Sequence, residues 1–179
     1  MNQIQVNTPR VMFAAMRSGS GKTTVTCGVL AALKRRNIIV QAYKCGPDYI
    51  DPMFHRTVLG IDTGNLDTFF ADADAIGHIL ARDTKEADLV VMEGVMGYYD
   101  GVGGTTTMAS SYELSKVTKT PVILVVDAKG ASVTLAAIIR GIMEYKKDSR
   151  ISGVILNRVS PMFYSRMKRV IEAECGISV

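Results

Sequence analysis

Apolar residues gather along this chain in runs that are almost unbroken: residues 10–15, 38–43, 88–92, 122–126 and 151–156. A run that does not alternate with polar residues is what a strand covered on both faces of a parallel sheet requires. The segments between or after these runs switch to a helical spacing of apolar positions, at 22–36, 72–82, 108–118, 132–145 and 161–174. Regular strand–helix alternation predicts an α/β fold: an open, mainly parallel sheet with helices on both faces. Ligands then bind at the carboxyl ends of the strands. The last helix stops at Cys175-Gly176, and Ile177-Ser178-Val179 starts another apolar run. Three residues make a poor final strand, so the chain reads as a single domain, 1–179, taken from a longer protein. A naturally short chain is the other reading.

The first strand-to-helix junction carries Ser18-Gly19-Ser20-Gly21-Lys22-Thr23-Thr24. A glycine-rich turn here surrounds a small volume with backbone N–H groups, and the positive end of the helix dipole points into it. Lys22 would reach the β- and γ-phosphates of a nucleoside triphosphate, and the Thr23 hydroxyl would ligate Mg²⁺. The spacing departs from G-x-x-x-x-G-K-[ST], because Met16 occupies the first glycine position. A loop one residue longer, turning at the small Ala15, remains sterically acceptable. The expectation is a P-loop NTPase-type sheet.

Composition adds limits. At 179 residues the chain is long enough for one well-packed core. No apolar run approaches the roughly 18 residues that cross a membrane. The first nine residues, Met1 to Pro9, lack the charged and apolar regions of a signal peptide. The expected location is therefore cytoplasmic, with no membrane partner. A net charge of +4 suits an anionic substrate, but the basic residues are dispersed. The densest groups, Lys34-Arg35-Arg36 and Lys146-Lys147, fall at helix ends, where the dipole favours cations. No nucleic-acid partner is expected. Cys27, Cys45 and Cys175 have neither disulfide nor zinc spacing, and Cys27 falls on a buried helix face.

Candidate chemistry follows the strands. Glu93 ends the third run ahead of Gly94, where its carboxylate would hold Mg²⁺ with Thr23 or cap the following turn. Lys44 follows a strand expected beside the first one, so two lysines would serve one phosphate site. Asp48 would complete the metal shell or form an Asx-turn, whereas Asp51 precedes Pro52 like a helix cap. Asp100 would be a substrate-side acid or a turn residue. His55 is a weaker substrate-contact candidate. Tyr49, Tyr98 and Tyr99 would line a pocket or cover the core.

Lys44-Cys45-Gly46-Pro47-Asp48-Tyr49-Ile50-Asp51-Pro52, Asn65-Leu66-Asp67 and Glu93-Gly94-Val95-Met96-Gly97 with Asp100-Gly101 together resemble the cobyrinic acid a,c-diamide synthases. The hydrogenobyrinic acid and nickel-sirohydrochlorin synthases belong to the same group. Dethiobiotin synthetase is a more distant likeness. The resemblance implies an ATP-dependent ligase acting on a corrin-type polycarboxylate: ATP phosphorylates a side-chain carboxylate, and ammonia displaces phosphate from the acyl phosphate. On this reading Lys22, Lys44, Asp48, Glu93 and Asp100 serve catalysis, and Thr23, Asp48 and Glu93 hold the metal. Ser18 to Thr24 bind the triphosphate, Asn157 meets the base, and Asp127 orders the loops beside the phosphates.

In that family ammonia comes from glutamine through a C-terminal amidotransferase domain with cysteine and histidine. This chain has only His55 and His78 and no cysteine placed for the task. The expectation is a synthetase domain whose glutaminase partner is missing, with a homodimer left open. Two other readings share the phosphate loop: a partitioning or metal-carrier switch ATPase, and a dethiobiotin-type carboxylating ligase. The switch would carry a second loop lysine where Arg17 stands, and neither uses the 44–52 block.

Overall fold

The computed structural model describes residues 6–179, so Met1–Gln5 and their part of the leader reading lie outside it. The strands are β1 (Arg10–Ala15), β2 (Val40–Cys45), β3 (Thr63–Leu66), β4 (Leu89–Glu93), β5 (Val122–Asp127) and β6 (Ile151–Asn157). They form one sheet in the order β3-β2-β4-β1-β5-β6, and all of the pairings are parallel. The helices are α1 (Lys22–Arg35), α2 (Ile50–Phe54) continued by a π-turn (His55–Leu59), α3 (Ala73–Asp83), α4 (Ser111–Val117), α5 (Thr134–Glu144) and α6 (Pro161–Cys175).

Strand order decides which face each helix covers. Parallel crossovers are right-handed, so steps in opposite directions across the sheet put their helices on opposite faces. From β1 to β2 to β3 the chain steps one way; from β3 to β4, β5 and β6 it steps back. The two cores agree. Phe13, Ala15, Leu30, Ala42, Val91 and Val125 pack under α1. Met12, Ala14, Met92 and Leu124 pack with Ile76, Leu114, Ile139 and Ile171 from α3, α4, α5 and α6. Between β1 and β4 the following loops leave toward opposite faces, and this opens a crevice at the carboxyl edge.

The fold class is as expected, with three corrections. β2 does not neighbour β1, because β4 lies between them. It also runs two residues later than the apolar pattern suggests, so Lys44 and Cys45 are inside the strand. β3 is an added edge strand whose sequence, Thr-Gly-Asn-Leu, has too little apolar signal to read. Local chemistry set several ends correctly. Asp72 caps α3 through Ala75 and Pro161 starts α6, whereas α4 begins three residues later than the pattern suggests, at Ser111, where Ser110 caps it by accepting the Glu113 N–H at 3.2 Å. Ser178 pairs with Gly153 at the free edge of β6, its carbonyl accepting the Val154 N–H at 2.9 Å.

Candidate nucleotide and carboxylate site

The phosphate loop occupies residues 16–21, between β1 and α1. Gly21 caps α1 at φ +96°, a left-handed backbone, and a Cβ there would sit 2.2 Å from Asn157 Nδ2. Only glycine fits. No side chain caps α1 and its first turn has no acidic residue, so the helix end stays available to an anion. Ser20 is fully buried, with Oγ donating to the Arg17 carbonyl at 2.9 Å. Ser18, Gly19, Gly21, Lys22, Thr23 and Thr24 line an open cleft of about 450 Å³, shared with Lys44, Asp48, Glu93 and Met96.

Across the cleft, side-chain alternation does the placing. Lys44 follows Ala42 and Glu93 follows Val91, both on the α1 face. Parallel register sets Lys44 directly beside Glu93. Lys44 Nζ donates to Glu93 Oε1 at 2.8 Å and to Asp51 Oδ2 at 2.7 Å, and lies 3.9 Å from Asp48 Oδ2. Thr23 Oγ1 donates to the same Glu93 oxygen at 2.6 Å. Burial alone would lower the Lys44 pKa, but Glu93 and Asp51 outweigh it and the value is raised. Lys44 therefore stays charged.

Glu93 has no exposed surface, and its second oxygen, Oε2, is buried with no hydrogen-bond partner. A buried carboxylate oxygen without a donor is costly. Lying next to a phosphate loop and the Thr23 hydroxyl, it suits a hard divalent cation, and the donor set fits Mg²⁺. Among the described residues no group of three His, Cys, Asp or Glu side chains gathers to hold a metal. Here nucleotide oxygens and water would complete the shell.

Lys22 is buried, and its Nζ donates to the Met96 carbonyl at 2.7 Å. Met96 adopts a left-handed backbone, φ +47°. Desolvation, and then repulsion from Lys44, lowers the Lys22 pKa. Gly97 closes this wall, since a Cβ there would come within 2.7 Å of the Met16 carbonyl.

Other expected residues fall as follows. Asp48 Oδ1 makes the Asx-turn with the Ile50 N–H at 2.9 Å, while Oδ2 lies 3.9 Å from Lys44 Nζ. Asp100 is exposed, and its Oδ2 accepts the Gly97 N–H at 2.9 Å, the turn alternative. Asn157 Nδ2 donates to the Ser20 carbonyl at 2.9 Å, against the phosphate loop. Asp127 takes Arg158 and, at 3.3 Å, Arg17; the Lys129 N–H and then Arg158 hold its pKa down. Tyr98 is buried and packs with Tyr99 and Tyr112, so it covers the core, whereas Tyr49 is 81% exposed.

Two readings are corrected. His55 is buried and cannot contact substrate; its Nε2 lies 3.5 Å from Cys27 Sγ. Cys27 is only half-buried rather than a full core residue. Burial raises the Cys27 thiol and lowers the His55 imidazole, so the two form a neutral pair. Burial also pushes Cys45 up to about 12.

Sequence reasoning missed two positions. Asp51 looks like a helix cap but is a short ion-pair partner of Lys44. Asn65 holds the 46–48 loop, donating to the carbonyls of Gly46 at 2.8 Å and Asp48 at 2.7 Å. The return of the 44–52 block to an acid seven residues from the lysine was the available signal for Asp51. Asn65 had none beyond its place in the quoted motif.

A parallel α/β sheet with a phosphate loop after β1 defines a P-loop nucleotide-binding fold, and solved structures agree. Chloroplast FtsY from Physcomitrella patens superposes with a TM-score of 0.70 at 14% identity, over 99% of this chain and 59% of that one. HypB, a hydrogenase maturation factor from Archaeoglobus fulgidus, gives 0.62 at 15% identity, over 96% and 78%. More specifically, residues 11–179 match the CobQ/CobB/MinD/ParA nucleotide binding domain, and the chain belongs to that family. Curated relatives include cobyrinate a,c-diamide synthase of Listeria innocua, 44% identical over 172 residues, 95% of this chain and 38% of the relative. Hydrogenobyrinate a,c-diamide synthase of Streptomyces coelicolor is 40% identical over 96% of this chain and 35% of its own length. The chain thus spans little more than a third of these relatives.

Proposed function

We propose that this chain is the ATP-dependent part of a cobyrinate a,c-diamide synthase-type ligase. It amidates the a and c carboxylates of cobyrinic acid, or of a related corrin-type macrocycle, in the cytoplasm. The observation that carries this reading is the Glu93 carboxylate, held by Thr23 and Lys44 beside the phosphate loop with one oxygen unsatisfied. The names and sequence identity of the relatives support it.

In the first step a substrate carboxylate oxygen attacks the γ-phosphorus of ATP, the bond to the bridging oxygen breaks, and ADP leaves. The acyl phosphate is then attacked by ammonia, phosphate departs with the bonding pair, and the nitrogen loses a proton. Loop N–H groups and Lys22 grip the phosphates, Lys22 exchanging the Met96 carbonyl for phosphate oxygens. Lys44 presents fixed positive charge toward the transferring group. Thr23, Glu93 and Asp48 would hold Mg²⁺. When bound, Mg²⁺ neutralises charge on the phosphoryl oxygens. Asp127 orders the loops, Asp100 shapes the wall behind Lys22, and Asn157 has one amide hydrogen left for the base.

Exposed Tyr49, Ile50, Met53 and Phe54 beside Asp48 offer apolar area to a flat macrocycle. Ammonia would come from glutamine through a further domain. The raised thiols of Cys27, Cys45 and Cys175 are unsuited to nucleophilic attack, which needs thiolate.

The test is ATP turnover with ammonium chloride, with and without a corrin polycarboxylate. ADP release that requires the macrocycle is expected. Turnover that responds instead to a protein partner, or to diaminopelargonic acid, would replace this reading with a switch ATPase or a carboxylating ligase.

A further inference from the structure

The geometry points to Arg158 as a positioning residue that, with Asn157, fixes the phosphate loop from outside; this rests on the nucleotide reading of that loop. β5 and β6 end side by side, with Asp127 paired to Asn157. The last residue of β6 and the one after it hold consecutive loop carbonyls: Asn157 Nδ2 donates to Ser20 O at 2.9 Å, and Arg158 Nη2 to Gly19 O at 3.0 Å.

A trans peptide is planar, with its C=O and N–H opposed. Pinning the Gly19 carbonyl therefore directs the Ser20 N–H, and pinning the Ser20 carbonyl directs the Gly21 N–H. Both donors are set into the cradle before any phosphate arrives. Preorganised donors bind an anion more tightly than donors that must first be turned.

Arg158 is itself immobilised. Its Nε donates to Asp127 Oδ1 at 2.9 Å and its Nη2 to Asp127 Oδ2. Asp127 is fixed in turn by the Lys129 N–H at 3.1 Å. Arg158 holds a left-handed backbone, φ +58°, a conformation that a non-glycine residue keeps only when its surroundings require it. Arg17 differs: its side chain is 72% exposed and meets Asp127 through one contact of 3.3 Å. The clamp is Asp127–Arg158, and it acts on phosphate geometry, with no part in reading the base.

The test is competition of ATP, ADP and inorganic tripolyphosphate against a fluorescent nucleotide, on the whole chain with Mg²⁺. Arg158→Ala is expected to raise Kd by a common factor of about ten for all three ligands. Arg158→Lys should give almost no rescue, since an ammonium offers its donors from a single atom, without the two separated, coplanar nitrogens with which Arg158 spans the Asp127 carboxylate and the Gly19 carbonyl. Asp127→Asn, which keeps the side-chain volume, should show a smaller loss of the same pattern and stands in if Arg158→Ala fails to fold. Wild-type binding with Kd unchanged within twofold in the variants would overturn the clamp alone. A loss confined to ATP and ADP, sparing tripolyphosphate, would also overturn it and make Arg158 a nucleoside contact. Absence of binding by the wild-type chain would overturn the nucleotide reading and the clamp with it.

Discussion

On the β1 side of the cleft a ligand meets main chain with one added lysine: the loop N–H groups, a left-handed glycine, carbonyls held from behind by Asn157 and Arg158, and Lys22. On the β2–β4 side it meets side chains: one buried lysine among Glu93, Asp51 and Asp48. The first wall recognises phosphate in whatever molecule carries it, because backbone donors are common to every sequence that bends this way. The second wall keeps Lys44 and Glu93 out of water, where each depends on the other, and on the partly exposed Asp51, for its solvation. A backbone cradle degrades by degrees; a buried charge cluster fails when one member goes.

That contrast sets the order of expected effects. Lys44→Ala would leave Glu93 buried beside an empty space, and losing one partner of a buried pair costs about 3–5 kcal/mol. Urea unfolding should register that loss, and a change below about 1 kcal/mol would place the pair effectively in solvent. Glu93→Gln keeps the shape and removes the charge. Turnover is expected to fall about 100-fold while nucleotide Kd moves less than about threefold, because a metal acts mainly on charge developing in the transition state. Equal losses in both would make Glu93 a binding residue.

Gly21→Ala tests the opposite wall. The left-handed backbone costs roughly 1–2 kcal/mol with a Cβ present, and Asn157 must move as well. Nucleotide affinity should drop about tenfold with the Lys44 cluster intact; unchanged affinity would show that the cradle tolerates a displaced Asn157. The mildest effect concerns pH. The Lys22 pKa is lowered in the free protein, so its charge is lost at a lower pH than that of an ordinary lysine. Affinity for ATP should be flat near neutrality and decline on the alkaline side, before the usual lysine value of about 10.4 is reached. In Lys22→Arg, which keeps its charge throughout, the decline should vanish; its persistence would assign the titration elsewhere.

The two walls were also unequally legible. Ser18 to Thr24 announce themselves because glycine, lysine and threonine act there through local backbone geometry, within seven consecutive residues. Glu93 at a strand end was equally readable. The partners were not: Lys44 was expected beside β1, and Asp51 was expected to cap a helix. Each meets its real neighbour across 49 or 7 positions of chain, by strand order and register. Asn65 lies on an edge strand that hydropathy does not mark, and it shapes the 46–48 loop through two donors to main chain.

The sequence by itself determined what depends on nearest neighbours along the chain: strand and helix alternation, helix starts at Asp72 and Pro161, and a phosphate loop that needs glycine at position 21. The tertiary structure alone decided what depends on neighbours in space. It placed β4 between β2 and β1, brought Lys44 and Thr23 to the same oxygen of Glu93, and ran Arg158 back to a carbonyl 139 residues earlier. The reason is physical. Backbone preference and amphipathic period act over a few residues, whereas charge pairing in a buried cleft follows the lateral order of strands, which core packing and crossover handedness select together.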